Sequence, residues 1–254
     1  HYPPPERTIR PAVTTGLGFG NSSVEALLSG LYEAVERDAA TVAWYSTYDP
    51  LELVVDDDAF DELARRAGAE RLDATALLLT QDVDVPVVGV AVRRDRFPRV
   101  ALGTAAHLDP ERAARKALAE AVQNWLELRE MGIDDAQLVD GAVGRYAVGP
   151  TPLEAFLDPD DRVPVATVGP DSVPEGDDHL RAVVDRVTDA GLDAYAARTT
   201  TRDLRRLGFE GVRVCLPAAQ PLFFDEPYFG ERARTVPESL GFEPALDRDH
   251  HPYP

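Results

Sequence analysis

The sequence predicts a mixed α+β fold in which long helices pack against sheets that are mainly antiparallel. Apolar residues recur with helical spacing in two long segments, 24–40 and 110–130. Three short apolar runs lie between them, at 76–80, 87–93 and 100–104, and turn residues separate these runs as in a meander of antiparallel strands. Helices that flank hairpin-connected strands are typical of α+β proteins.

A strand that ends among glycines, at 15–20, is expected to lead directly into the first helix. That helix is predicted over about 24–40, with Ser22 or Ser23 as its N-cap, because a hydroxyl there can accept bonds from free helix amides. The apolar stripe of the helix consists of Val24, Leu27, Leu28, Leu31 and Val35.

The next two helices have clear start signals. Three aspartates at 56–58 open a helix that extends to about Arg66, and their charge suits the positive end of the helix dipole. Pro110 begins the long helix that extends to about Glu130, because its missing amide hydrogen costs nothing in the first turn.

The C-terminal half has weaker patterns. Residues 136–163 are predicted to be irregular, and residues 217–254 to be mostly loop with short helices. Between these two segments we expect one helix at 179–190 and three strands at 165–168, 193–200 and 211–216. The single cysteine, Cys215, lies in the last strand and is predicted to be a buried, inert thiol.

The composition is strongly acidic. With 26 Lys and Arg against 45 Asp and Glu, the formal net charge is −19, and Lys116 is the only lysine. Such a surface argues against nucleic acid as a partner, since phosphate contacts need basic residues. An acidic excess spread along the whole chain favours a halophile, whose concentrated salt screens self-repulsion, over an ordinary acidic protein.

Other sequence features limit the class of protein. No run of about 18 apolar residues occurs, so we expect no membrane span and a cytoplasmic location. The five histidines are too scattered along the chain to suggest a metal cluster. The chain opens with His1 rather than Met, and we expect that an upstream part of the protein is missing from it.

Two predicted helices carry polar residues on one face. The first helix has four of them in steps of four or eight residues: Asn21, Glu25, Glu33 and Arg37. Clustered carboxylates repel one another unless a cation lies between them, so this face is a candidate Mg²⁺ site. From spacing alone, the favoured alternatives are a Ser22–Glu25 capping box and a solvated face of Glu33, Glu36 and Arg37 with a Glu33–Arg37 pair.

The long helix after Pro110 repeats this arrangement with Lys116, Glu120 and Gln123, for which spacing alone again favours a solvated face. Three alternate glycines, at 16, 18 and 20, precede the first helix. Glycine lets the backbone approach a ligand closely, but this spacing is neither a dinucleotide fingerprint nor a P-loop.

Three motifs follow one another along the chain. The first is TGLGFGNSSVEALLSGLYEAVERD at 15–38, and the second is KALAEAVQ at 116–123. The third combines PLFF at 221–224 with the terminal HHPYP at 250–254. Together they resemble the YcaO family of ATP-dependent enzymes that modify peptide backbones, and the resemblance extends from about Pro11 to the end of the chain.

The chain departs from the family pattern in several places. Lys116 stands where Arg is usual, Trp125 replaces a frequent basic residue, and His250 replaces the first proline of the terminal motif. The family's upstream Ser/Lys/Glu nucleotide-binding segment is absent. We therefore interpret residues 1–254 as the C-terminal part of a single YcaO-type domain.

The resemblance implies ligands for ATP and Mg²⁺. The residues implied to contact Mg²⁺ or its waters offer hard oxygen atoms, and they are Asn21, Glu25, Glu33 and Glu120. Those implied to contact the nucleotide phosphates are Arg37, Lys116 and Gln123. The carboxylate of Pro254 is implied to lie near the catalytic site.

The implied reaction is ATP- and Mg²⁺-dependent O-phosphorylation of a peptide-backbone amide, which leads to a thioamide or an azoline. Thioamide formation is slightly favoured, because no fused leader-binding domain is visible and the acidity suggests a haloarchaeal source. Implied partners are a peptide or protein substrate, a TfuA-like sulfur-delivery or leader-binding protein, and a second copy in a homodimer. The alternative from another class is a non-catalytic peptide-binding or scaffolding relative.

Overall fold

The computed structural model describes residues 14–138, 143–149, 151–224 and 226–253. They form eight strands: β1 Leu17–Gly20, β2 Leu51–Val54, β3 Asp73–Leu78, β4 Val87–Arg93, β5 Val100–Ala106, β6 Arg162–Pro164, β7 Tyr195–Arg198 and β8 Glu210–Cys215. They also form nine helices: α1 Ser23–Trp44, α2 Asp58–Gly68, α3 Pro110–Met131, α4 Ile133–Ala136, α5 Val143–Val148, α6 Thr151–Glu154, α7 Gly176–Asp189, α8 Arg202–Arg206 and α9 Arg232–Leu240. None of these helices combines the length and the apolar composition that crossing a bilayer requires.

The strands form two sheets with mainly antiparallel pairing. The larger sheet has the order β5-β4-β3-β2-β6, in which β2 and β6 pair in parallel and the other neighbours are antiparallel. The smaller sheet has the order β1-β8-β7 and is antiparallel. The predicted mixed α/β fold, with its meander of three strands between two long helices, is therefore confirmed.

The larger sheet separates two hydrophobic cores. Val87 and Leu102 face the core around α1. Their chain neighbours Val88 and Ala101 face the core that contains α3, because alternate residues of a strand point to opposite sides. Strand β5 is the edge strand of this sheet, so α1 and α3 can meet around its free side.

Three expectations for the C-terminal half are wrong. The segment 136–163 is not irregular throughout, since it contains α5 and α6. Residues 165–168 do not form a strand, since Val165–Thr167 is a 3₁₀ turn that follows directly on β6 and its terminal proline. Strand β6 instead pairs with β2, which has no strong signal in the sequence. Cys215 is exposed rather than buried, because the period of the strand turns Val212 and Val214 inward and Cys215 outward.

Candidate functional site

A cavity of about 440 Å³ lies where α1 and α3 meet beside β5. Its polar lining residues are Ser29, Tyr32, Glu33, Glu36 and Arg37 from α1, Thr104 from β5, and Lys116, Glu120 and Gln123 from α3. Spacings of three, four or seven residues place the members from each helix on one helical face. The two polar faces that the sequence shows separately thus line the same cavity.

A glycine on β5 allows α3 to approach closely. A Cβ atom on Gly103 would lie 2.3 Å from the carbonyl oxygen of Ala117 and 2.4 Å from the backbone nitrogen of Ala121. Because no side chain intervenes, the backbone of α3 lies directly against the strand. Glu120 then reaches β5, where its carboxylate accepts a hydrogen bond from the Thr104 amide at 3.1 Å.

Strand β1 packs against α1 through the glycines of the first motif. A Cβ atom on Gly18 would lie 1.9 Å from the carbonyl oxygen of Ala26, so the space beside this glycine is filled by the helix and not by a ligand. The backbone amide of Gly16 donates a hydrogen bond to the side-chain carboxylate of Glu33. The residue before β1 therefore contacts the cavity.

Glu36 is the most perturbed carboxylate of the cavity. Its side chain accepts a hydrogen bond of 2.6 Å from the Thr104 hydroxyl, directly beside the Thr104 amide that binds Glu120. Burial, and after it the negative charge of Glu120, raises the pKa of Glu36 to about 8. Two carboxylates from different helices therefore meet on one threonine and repel each other.

Two cations, Arg37 and Lys116, lie near the carboxylates of the cavity but do not fully offset their burial. Burial also raises the pKa values of Glu33 and Glu120, although the positive charges of Arg37 and Lys116 oppose the shift at both carboxylates. The guanidinium of Arg37 lies 4.0 Å from the carboxylate of Glu33. A site with several partly buried carboxylates and flanking cations can accept a divalent cation together with an anionic ligand.

The donor set fits Mg²⁺ better than it fits a metal held by protein ligands alone. Among the described residues, no three Asp, Glu, His or Cys side chains are close enough to form a ready-made metal cluster. Mg²⁺ does not need one, because it usually keeps several waters and binds one or two carboxylates plus the phosphates of a substrate.

Asn21 and Glu25 lie outside the cavity lining, at the first turn of α1. The Ser22 hydroxyl accepts a hydrogen bond of 3.1 Å from the Glu25 amide, and the Glu25 carboxylate accepts one of 2.7 Å from the Asn21 amide. Both residues are exposed. Glu25 is eight residues from Glu33, about 12 Å along the helix axis. Its contacts are those of a helix cap, although its carboxylate binds the amide of Asn21 and not that of the N-cap residue, Ser22.

The interpretation of the sequence assigned no ligand role to four polar residues of the cavity: Ser29, Tyr32, Glu36 and Thr104. Glu36 follows Glu33 by three residues on the same helical face, but spacing alone favours a solvated position for both of them. Thr104 and Tyr32 have no such signal, because they sit within apolar segments of β5 and α1. Only the packing of α1 against α3 and β5 shows that these residues line the cavity.

The structure also brings two distant histidines to one margin of the cavity. The Tyr32 hydroxyl accepts a hydrogen bond from the Leu108 amide and lies 2.6 Å from Nε2 of His179. The rings of His107 and His179 are 5.4 Å apart. Burial lowers the pKa of His107 to about 4 and also lowers that of His179, so both rings are neutral near pH 7.

The C-terminal segment runs along the end of α1. The Trp44 indole donates a hydrogen bond of 2.8 Å to the Asp249 carbonyl, and the Tyr45 hydroxyl accepts one of 3.1 Å from the His251 amide. Burial lowers the pKa of His251 to about 3, and Arg37 of the cavity contributes to this shift. The predicted catalytic terminus, Pro254, lies outside the described residues.

A larger cleft, of about 650 Å³, lies at the end of α2 and contains none of the residues that the motifs single out. Its charged lining residues are Glu70, Arg71, Asp73, Arg94, Asp95 and Arg96. Equal numbers of acids and bases line this cleft, whereas the smaller cavity gathers carboxylates that face one another.

The sequence model of one family, described as YcaO cyclodehydratase, ATP- and Mg²⁺-binding, matches residues 1–220. This chain belongs to the YcaO family. The family's ligands are ATP and Mg²⁺. In this YcaO protein, the cavity between α1 and α3 combines residues from the first and second motifs.

Two relatives of this YcaO chain are uncharacterized proteins. One, from Methanothermobacter thermautotrophicus, is 26% identical over 245 residues, which is 92% of this chain and 63% of the relative. The other, from Rhizobium leguminosarum bv. trifolii, is named for its position in the tfuA 3′ region and is 32% identical over 125 residues, 44% of this chain and 30% of the relative. This chain therefore spans less than two thirds of the length of either relative.

Two solved structures share the fold. A heterocyclase in complex with substrate and cofactor has a TM-score of 0.77 and 25% identity, and the match covers 98% of this chain and 33% of that one. YcaO from Methanopyrus kandleri, bound with AMPPCP and Mg²⁺, has a TM-score of 0.69 and 27% identity, and the match covers 84% of this chain and 57% of that one.

Proposed function

We propose that this chain contributes the cavity between α1 and α3 to a Mg²⁺- and ATP-dependent enzyme that activates a peptide-backbone amide. The observation that carries the proposal is the convergence of Glu33, Glu36 and Glu120 with Arg37 and Lys116 in one cavity. The M. kandleri relative with bound AMPPCP and Mg²⁺, and the heterocyclase with bound substrate and cofactor, support it.

The carboxylates would hold Mg²⁺. Glu36 and Glu120 share Thr104 and repel each other, so a divalent cation between them would relieve the repulsion that raises the pKa of Glu36. Glu33 would complete the acidic side of the cavity. Asn21 and Glu25, which the family resemblance also assigns to Mg²⁺, would act further along α1, where the Glu25 carboxylate has a second oxygen beside the one that caps the helix.

The donors would hold the phosphates. Arg37, Lys116 and Gln123 line the same cavity and can bind phosphate oxygens by charge-assisted or amide hydrogen bonds. When bound, Mg²⁺·ATP supplies the phosphoryl group that turns an amide oxygen into a good leaving group. The residues of the chain would orient that transfer and offset the developing negative charge.

We propose a thioamide as the product, with an azoline as the alternative. The relative from the tfuA 3′ region supports a TfuA-like sulfur-delivery protein as a partner. The C-terminal carboxylate of Pro254 would lie near the reacting amide, since the preceding residues run past α1 towards the side of Arg37. A leader-binding partner and a homodimer remain part of the proposal.

Phosphate release from ATP by the full-length protein, with Mg²⁺ and peptide, tests the proposal. Glu33→Gln should abolish most of the release, whereas Glu130→Gln, which changes an exposed acid near the end of the same α3 helix that carries Glu120, should leave it unchanged. Equal release by both variants would remove the carboxylates from the mechanism and favour the non-catalytic scaffolding alternative.

Mass spectrometry of the peptide separates the two products. Exchange of one oxygen for sulfur identifies a thioamide, and loss of one water identifies an azoline. A supply of sulfide should be needed only for the first product.

A further inference from the structure

The smaller sheet has one covered face and one open face. Val212 and Val214 of β8 are buried in the core around α1. On the opposite face, Leu17, Phe19 and Tyr195 are 49%, 50% and 59% exposed. Exposed aromatic and aliphatic side chains are costly to leave uncovered, because burying apolar surface removes it from water at a gain in free energy.

The open face continues beyond the strands. The ring of Phe19 stacks on that of Phe209 with 4.9 Å between centroids, and Leu207 beside it is 71% exposed. We call Leu17, Phe19, Tyr195, Leu207 and Phe209 the open sheet face. The strand register places Arg213 and Cys215 of β8 on the same face, between the apolar side chains of β1 and Tyr195 of β7. Exposed apolar side chains grouped around a basic residue are suited to an interaction site.

Strand β7 forms one border of this sheet. Within the described part of the chain it pairs with β8 alone, and all four of its residues, Tyr195–Arg198, are exposed. The outer row of amide and carbonyl groups of such an edge strand is a template on which an extended segment can pair.

The region around β7 is basic although the protein is acidic. Residues 195–215 carry five arginines and two acids, a net charge of +3 on a chain of −19. The arginines are Arg198, Arg202, Arg205, Arg206 and Arg213, and the acids are Asp203 and Glu210. The charge of this region is therefore complementary to an acidic partner, although the chain as a whole is acidic.

We propose that the open sheet face and the free edge of β7 bind an extended, acidic peptide segment with apolar side chains. The segment would pair its backbone with β7, place alternate apolar side chains on the open sheet face, and direct its carboxylates to the arginines around α8.

Docking itself does not depend on the proposed function. Binding is therefore measured without ATP, so that a failure of docking and a failure of catalysis are read in different assays.

The probe is a labelled synthetic peptide that alternates valine and glutamate, and its control carries lysine in place of glutamate. In fluorescence anisotropy with the full-length protein, the acidic peptide should bind at least about tenfold more tightly, and added salt should reduce this difference. Equal affinity for the two peptides would overturn the proposal.

Charge-reversal variants locate the site. The double variant Arg205→Glu/Arg206→Glu at the end of α8 should weaken binding of the acidic peptide at least about tenfold. The matched control Arg65→Glu/Arg66→Glu changes two adjacent exposed arginines near the end of α2 and should leave binding unchanged. Equal effects of the two double variants would show only a response to net charge and would contradict the docking site.

Hydrogen exchange tests the strand pairing. The amides of β7 that point away from β8 should exchange rapidly in the full-length protein alone and slowly with the acidic peptide. Slow exchange before the peptide is added would mean that another part of the polypeptide, or a second copy detected by sedimentation, already covers the edge, and this result would also overturn the proposal.

Discussion

The carboxylates in two parts of helix α1 have different surroundings. In its first turn, Glu25 is exposed and its carboxylate accepts a hydrogen bond from the nearby Asn21 amide at 2.7 Å. About three turns later, Glu36 is partly buried, binds the Thr104 hydroxyl, and faces Glu120 of α3. The carboxylate of Glu25 thus has a local hydrogen-bond donor directly before its own helix. The carboxylate of Glu36 is repelled by a like charge from another helix.

The difference teaches that helical spacing does not by itself identify a metal site. Glu25, Glu33 and Glu36 all lie on α1, but only Glu33 and Glu36 line the cavity that α3 completes. A carboxylate needs a cation when burial removes water and a second carboxylate lies close by, and both conditions hold only where α1 meets α3.

Replacement of the paired carboxylates should have the largest effect. In the full-length protein, Glu36→Gln or Glu120→Gln should lower Mg²⁺-dependent phosphate release at least about 100-fold, because even residues that only support a metal ligand cost about 10–100-fold. Glu25→Gln should cost only about tenfold, since its carboxylate is shared with the cap. An equal loss at Glu25 would show that the first turn belongs to the same metal site.

The close contact between Gly103 and α3, which places Glu120 beside β5, should be sensitive to an added side chain. Gly103→Ala places a methyl group against the backbone of α3 and should lower the free energy of unfolding by about 1–3 kcal/mol, measured by denaturant titration. Gly68→Ala is the control, because a Cβ atom there meets nothing within 4 Å. Similar stability of the two variants would contradict the role assigned to this contact.

The pH dependence of stability should report on Glu36. Its pKa rises from 4.5 to about 8 on folding, so between these values the unfolded chain is ionised while the folded chain keeps the proton. Metal-free protein should therefore lose stability as the pH rises towards 8. The increase in Tm on addition of Mg²⁺ and a nucleotide should then be larger at pH 8 than at pH 6.

The variant Glu36→Gln serves as the control for this measurement, because an amide has no proton to release. Its increase in Tm should be small and independent of pH over the same range. A pH dependence that survives in Glu36→Gln would assign the titration to another group.

Removal of the cap should have the smallest effect. Ser22→Ala deletes the acceptor of the Glu25 amide and should cost about 1 kcal/mol of stability. Thr188→Ala removes a hydroxyl from the exposed face of α7 without affecting a cap and should cost less. Calorimetry of both variants, at equal protein concentration, makes the comparison.

Much of the fold could be predicted from the sequence, because its signals are local. Apolar spacing predicted α1 and α3, and Pro110 predicted where α3 begins. Strand β4 has the predicted bounds, 87–93. Strand β2 and the 3₁₀ turn at Val165–Thr167 could not be predicted in this way, because β2 is short and depends on its pairing with β3 and β6.

The candidate site was predicted in part. Glu33, Arg37, Lys116, Glu120 and Gln123 line one cavity, and the family model that matches the chain is that of an ATP- and Mg²⁺-binding family. Glu36 and Thr104 were missed because their importance arises from a contact between separate elements. The Mg²⁺ and phosphate contacts of individual residues stay predictions.

The sequence by itself determined the two long helices, the meander between them, the polar face of each helix and the family to which the chain belongs. Only the tertiary structure decided that Glu36 and Glu120 meet on Thr104, that Glu25 stays with its cap, and that one face of the smaller sheet is open. The reason is physical, since residue spacing reports the faces of one element, whereas the pairing of two faces depends on how closely their backbones can approach.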